Sequence, residues 1–181
     1  MNRLTGLASK ILSAFRSRDQ RALRKLNDAV LKETAMECEK PCFNMAVFSY
    51  VLSKIVSKPR FLRPEYRNGL DSIGKVLSRL VERLPSADET ELDTIFEQLQ
   101  RSIERLEEKD PRFVVDLVTK GKLKMAATFY AQGMSLGVAA EMTGLEKQEI
   151  LDYAGETMMF DRLKSEKSIT ERMKVARKFL S

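Results

Sequence analysis

The stretch Phe43–Val56, FNMAVFSYVLSKIV, decides the fold class. Its apolar residues fall on every side of a 3.6-residue helical turn rather than on alternate sides of a strand. A helix that is apolar all round must be buried all round, so it needs other helices on each flank. Pro41 suits its first turn, and Ser57-Lys58-Pro59 ends it. This segment is the expected centre of the core.

Working outward, strand alternation is nearly missing. Leu4, Leu7, Ala8, Ile11, Leu12 and Phe15 form one stripe of a first helix, opposite Arg3, Lys10 and Ser13. That helix is amphipathic with a basic polar face, so it suits the body, a membrane surface or a partner's groove. Asp19 is the expected N-cap of a second helix carrying Leu23, Leu26, Val30 and Leu31. A fourth helix is expected from Pro64 to Leu84, with Leu70, Ile73, Leu77, Leu80 and Val81 inward, and Pro85 stops it. Ser86-Ala87-Asp88-Glu89 reads as a capping box for an acidic fifth helix bearing Leu92, Ile95, Phe96, Leu99, Ile103 and Leu106. Asp110-Pro111 marks a break. A sixth helix follows over about residues 111–132, with Gly121 as its weak point. Short helices over 136–143 and 146–154 come next, and Ser168-Ile169-Thr170-Glu171 opens a last helix to Leu180. The expected architecture is all-α: a helical body over 1–110, then a helix-turn-helix unit with a C-terminal amphipathic helix over 111–181.

The chain has 181 residues, 43% apolar and 32% charged, enough for a sizeable core without staples. Histidine is absent, which removes the commonest general base, the Ser-His-Asp triad and most zinc-enzyme ligand sets. Two cysteines make no disulfide scaffold, and no apolar run approaches the roughly 20 residues of a membrane span. The start lacks the apolar core of a secretory signal, so cytoplasm is the expected location. Net charge is +6, distributed unevenly. Residues 1–84 and 162–181 are basic, as is 111–133, whereas 85–110 and 134–161 are acidic. Alternation of this kind suits solvated helix surface as well as a nucleic-acid footprint.

The most specific pattern lies in residues 122–155, KLKMAATFYAQGMSLGVAAEMTGLEKQEILDYAG. Ala140, Gly144, Leu145 and Ile150 have helix-turn-helix spacing. Ala140 is small where a second helix crosses, and Gly144 supplies a left-handed residue for the turn. Leu145 and Ile150 are apolar plugs. Ser135 can cap the first helix of the pair, and Leu123, Ala126 and Ala127 belong to a preceding helix that completes the core. The run from Phe129 to Gly144 resembles the signature of small prokaryotic antitoxin-like helix-turn-helix proteins, over about thirty residues. The whole chain is more loosely similar to a group of archaeal all-helical proteins, through the same run, a following Asp-Tyr and the later Asp161-Arg162. The first resemblance implies DNA binding; the second implies an archaeal source and brings no activity.

Against a DNA reader stands the second helix of the pair, which holds Glu146, Glu149 and Asp152 but one lysine. Carboxylates repel the phosphates that supply most affinity. Lys147 and Gln148 are the candidates for base edges. Phosphate contacts then fall to Lys120, Lys122 and Lys124 before the motif, and to Lys167, Lys174, Arg177 and Lys178 after it. Two readings follow. One is a nucleic-acid-associated regulator, with DNA or RNA as partner; the other is a protein–protein interaction module, with a protein partner or homodimer and no integral membrane association.

Other constellations carry no chemistry. Cys38-x3-Cys42 lacks further soft ligands for a metal and has the wrong spacing for a redox pair. Gly69-x4-Gly74-Lys75 lacks the following Ser or Thr of a phosphate loop and lies in a helical pattern. No base and nucleophile pair appears, so no enzyme activity, cofactor or metal is expected.

Overall fold

The computed structural model describes residues 2–37, 39–108 and 116–159, and these are mostly helical, with no strand among them. Eight α-helices follow in chain order: α1 (Asn2–Arg16), α2 (Gln20–Glu37), α3 (Lys40–Val56), α4 (Arg67–Arg83), α5 (Glu89–Glu107), α6 (Leu117–Ala131), α7 (Leu136–Thr143) and α8 (Lys147–Glu156). Two 3-10 turns, Pro59–Leu62 and Pro64–Tyr66, join α3 to α4. The expected final helix, with Lys167, Lys174, Arg177 and Lys178, lies outside the described residues, as do Cys38 and residues 109–115.

α3 is the axis of the core. Phe43, Met45, Ala46, Val47, Val51, Leu52 and Ile55 are almost wholly enclosed. Its helical neighbours are α1, α2, α5 and α6, one on each flank, as an all-round apolar helix requires. Phe43 meets Phe129 of α6 with ring centroids 5.4 Å apart, and Phe48 stacks on Phe96 of α5 at 5.7 Å. One polar group is built into this contact. Asn27 of α2, buried, donates its amide to the Ala46 carbonyl and to Ser49 Oγ, both at 2.8 Å. The amphipathic α1 docks on the body, burying Leu4, Ala8, Ile11, Ala14 and Phe15 against α2, α3 and α4.

Gly121, a weak point by helix propensity alone, has a packing reason. A Cβ there would sit 2.7 Å from Val51 Cγ2 and 3.3 Å from Val47 Cγ1, so α6 crosses α3 closely at that residue. α6 also packs on α7 and α8, which makes it a member of two cores. The large one follows α3. The small one consists of Ala126, Ala127, Ala139, Ile150, Ala154 and Met159.

Three boundaries differ from expectation, one of them the sixth helix, which opens at Leu117 behind its cap Asp116 rather than near residue 111. The fourth helix opens at Arg67, because Pro59 and Pro64 each begin a short 3-10 turn that seats buried Phe61 edge-on to Tyr66 at 5.4 Å. The fifth is capped by Asp88 rather than Ser86: the Asp88 carboxylate accepts from Glu91 N–H at 2.8 Å, while the N–H groups of Ser86 and Ala87 donate to the Arg83 carbonyl. The chain after Pro85 thus completes the end of α4 before α5 begins. Asp19 caps α2 as expected, accepting from Ala22 N–H at 2.9 Å.

At the seam from α5 to α6, buried Glu107 accepts from Leu117 N–H at 3.2 Å. Burial pushes its carboxyl up to about 7, against the opposing effect of that hydrogen bond. Asp116 caps α6 through Val118 N–H at 2.7 Å and Thr119 Oγ1 at 2.6 Å.

Candidate functional site

The segment 116–159 folds by local rules that can be followed residue by residue. Ser135 Oγ accepts from Val138 N–H at 3.2 Å and so starts α7. α7 ends at Gly144, whose φ of +68° is the left-handed conformation that a side chain would resist. Thr143 braces this turn, donating its hydroxyl to the Ala139 carbonyl at 2.7 Å and accepting from Leu145 N–H at 3.3 Å. The spacing rules did not single out Thr143; a hydroxyl immediately before the turn glycine was the available signal. α8 then opens with Glu146 N–H donating to the Glu149 carboxylate at 3.0 Å. Ile150 is completely enclosed and Leu145 half-buried, both in the small core. The alanine buried to zero exposure is Ala139, one residue before the expected Ala140, which is half-buried at the edge of the same core. Ala126 and Ala127 of α6 are enclosed with them, whereas Leu123 is only half-buried.

The lysines of α6 do not form one cluster. Lys120 is exposed. Lys122 lines a hollow of about 310 Å³ among α3, α5 and α7, in the company of Asp93, Glu97 and Glu141. Lys124 faces a different hollow, of about 280 Å³, and its Nζ lies 4.4 Å from the Tyr50 ring centroid. Arg24 of α2 and Lys54 of α3 line that same hollow, Lys54 Nζ being 5.2 Å from the same ring, and Asp28 is the carboxylate beside them. Burial raises the Tyr50 hydroxyl above the usual tyrosine range, nearby Tyr153 adds to the rise, and Arg24 opposes it. Arg24 and Lys54 escaped the sequence reading because three separate helices bring this cluster together.

On α8, Lys147 and Gln148 are exposed, as expected of residues that reach outward. Gln148 is engaged within its own helix, donating to Asp152 Oδ1 at 2.7 Å. The remaining charges exposed on α7 and α8 are carboxylates: Glu141, Glu146, Glu149, Asp152 and Glu156. Among the described residues, the large apolar side chains left exposed are Val138, Leu151 and Met158, at 37%, 36% and 66%. All three belong to this segment. Met158 also holds a left-handed backbone, φ +47°, just past the end of α8.

Elsewhere, the Cys42 thiol is buried in α3, and no group of three metal-ligating side chains occurs among the described residues. None of the described helices is long and apolar enough to cross a membrane. Compared with known proteins, the chain matches no family model, no curated protein and no solved structure.

Proposed function

We propose that this chain is a protein-interaction module in which α7 and α8 form a helix-turn-helix whose outer surface docks on another protein. One observation carries the reading: the exposed apolar side chains Val138, Leu151 and Met158 all lie on α7, on α8 or just beyond it, among five carboxylates and one lysine. Exposed apolar side chains in a segment of one sign of charge are what a specific partner surface presents, and here the sign selects a basic partner. Phosphate backbones would be repelled by the same charge. Met158 adds support, because a bulky exposed residue in a left-handed position is doubly unfavourable unless its side chain is used.

The test is capture of basic partners from a host extract, comparing the full chain with a Leu151→Ser/Met158→Asn variant. The partner should be lost at least tenfold in the variant, while unfolding stability changes by no more than about 0.5 kcal/mol, as for ordinary surface substitutions. Equal capture by both proteins would sink the reading.

A nucleic-acid-associated regulator is the second reading, favoured by the grouping of Arg24, Lys54 and Lys124 around Tyr50. It expects duplex DNA or RNA to bind with a steep salt dependence. Lys147→Ala would shift sequence preference, whereas Lys54→Gln/Lys124→Gln would weaken all sequences alike.

A further inference from the structure

Another hollow, lined by residues far from α7 and α8 in the chain, has the character of a small-molecule site. It lies where the ends of α1 and α3 meet the first 3-10 turn and α4, and it encloses about 350 Å³. That is the lower end of the range for ligand pockets, about 300–1,000 Å³. The floor is apolar: Phe15, Val56, Leu62 and Leu70. The rim is mostly cationic, with Arg16, Arg18 and Lys75 against one carboxylate, Asp71.

Two residues in its wall are poor choices for the fold by itself. Gly74 sits in the middle of α4 and is buried, yet a Cβ built on it would meet nothing within 4 Å. Alanine would favour the helix by about 1 kcal/mol and would clash with no neighbour. What a methyl there would occupy is the hollow. Arg18 is the second case. The end of α1 is closed by Arg18 N–H donating to the Phe15 carbonyl and Asp19 N–H donating to the Ala14 carbonyl. This pairing places Arg18 at the left-handed position that glycine normally fills, and its φ is +57°. A cation is kept at the rim where glycine would be easier for the backbone. Next to it, Arg16 donates to Ser78 Oγ at 2.7 Å and Ser78 donates to the Gly74 carbonyl at 2.7 Å, which steadies the guanidinium against the wall.

We propose that this hollow binds a small organic anion, its apolar body on the Phe15–Val56–Leu70 floor and its acidic head between Arg16, Arg18 and Lys75. The wall glycine leaves room for the body, and the strained arginine supplies charge for the head. Carboxylate and phosphate heads share this chemistry, and their relative affinities name which one the rim prefers. The site stands apart from the docking surface of α7 and α8, and neither proposal depends on the other.

The experiment is titration of the full chain with octanoate, octyl phosphate and octanol, followed by isotope-edited NMR of backbone amides. Octanoate or octyl phosphate should perturb residues at the ends of α1 and α3 and in the middle of α4, and should bind at least tenfold more tightly than octanol. Gly74→Ala should raise the unfolding temperature and still weaken binding at least tenfold. Arg18→Gly should leave the fold as stable or more so and weaken the two anions about tenfold, with octanol unchanged. Asp71→Asn should tighten both anions a few-fold. Equal binding of octanol, perturbations centred outside this hollow, unchanged affinity in the stabilised Gly74→Ala protein, or no binding at millimolar ligand would each overturn the proposal.

Discussion

α3 and the α7–α8 pair solve the same problem, covering an apolar face, with opposite materials. α3 is covered by Phe, Leu, Ile, Val and Met side chains from four helices, and its own large apolar residues are enclosed or half-enclosed. The pair is built largely on alanines, with Ile150 and Met159 as its larger buried side chains, and it leaves Val138, Leu151 and Met158 outside. Hydrophobic stabilisation follows the apolar area removed from water, so small side chains give close helix approach but little free energy. The pair therefore leans on α6, and α6 is held by α3. The difference teaches that this chain keeps its best-covered helix apart from its least-covered surface.

The strongest way to break that comparison is at the anchor. Phe43→Ala removes a fully enclosed ring from α3 and from its contact with Phe129. It should cost about 3–5 kcal/mol in denaturant unfolding. Because α6 belongs to both cores, amide protection in α8 should fall together with that in α3. If α8 keeps its protection while α3 loses it, the pair does not lean on α3.

A smaller effect should appear at the seam between the two regions. The Glu107 carboxyl stands at about 7 in the folded chain, against an ordinary value of 4.5. Below pH 4.5 both states are protonated and the group contributes no penalty. Between about 4.5 and 7 the unfolded chain gives up its proton more readily, so stability falls as pH rises, by on the order of 2–3 kcal/mol in all. Above 7 the loss is complete. Glu107→Gln should flatten this slope and be the more stable protein at pH 8, as read from unfolding curves across that range.

The mildest probe sharpens the contrast from the other side. Gly144→Ala meets no neighbouring atom, so its cost is the left-handed backbone alone, about 1 kcal/mol. Hydrogen exchange should quicken in α7 and α8 and stay unchanged in α3. Equal acceleration in α3 would mean that the two regions open only as one unit.

The all-helical fold was legible because the segment 43–56 is apolar at every helical angle, which has one structural solution. Ser135 and Gly144 were legible too, since a cap and a left-handed turn each demand a narrow choice of residue. Asp88 was misplaced by two residues because Ser86 and Asp88 are both good caps, and only the path of the chain out of Pro85 selects between them. Ala139 and Ala140 are adjacent, so pattern alone does not say which of them faces the crossing. That the α6 lysines part company was legible from helix geometry. Lys122 and Lys124 are two residues apart, about 200° around an α-helix, and they point into different hollows. The hollow beside Gly74 had no sequence signal beyond a glycine in mid-helix; its rim is gathered from α1 and α4, far apart in the chain.

Asn27 bears on how one arrangement is chosen from many. Helices with apolar faces can slide past each other by a turn and still cover most of the same oil, so apolar cover alone selects weakly among packings. The Asn27 amide favours the register that gives it both acceptors, since a buried amide left without a partner costs about 1–3 kcal/mol. Replacing it with leucine would give a chain at least as greasy and less decided. Its mark would be broadened, multiple resonances from α2 and α3, with helix content unchanged.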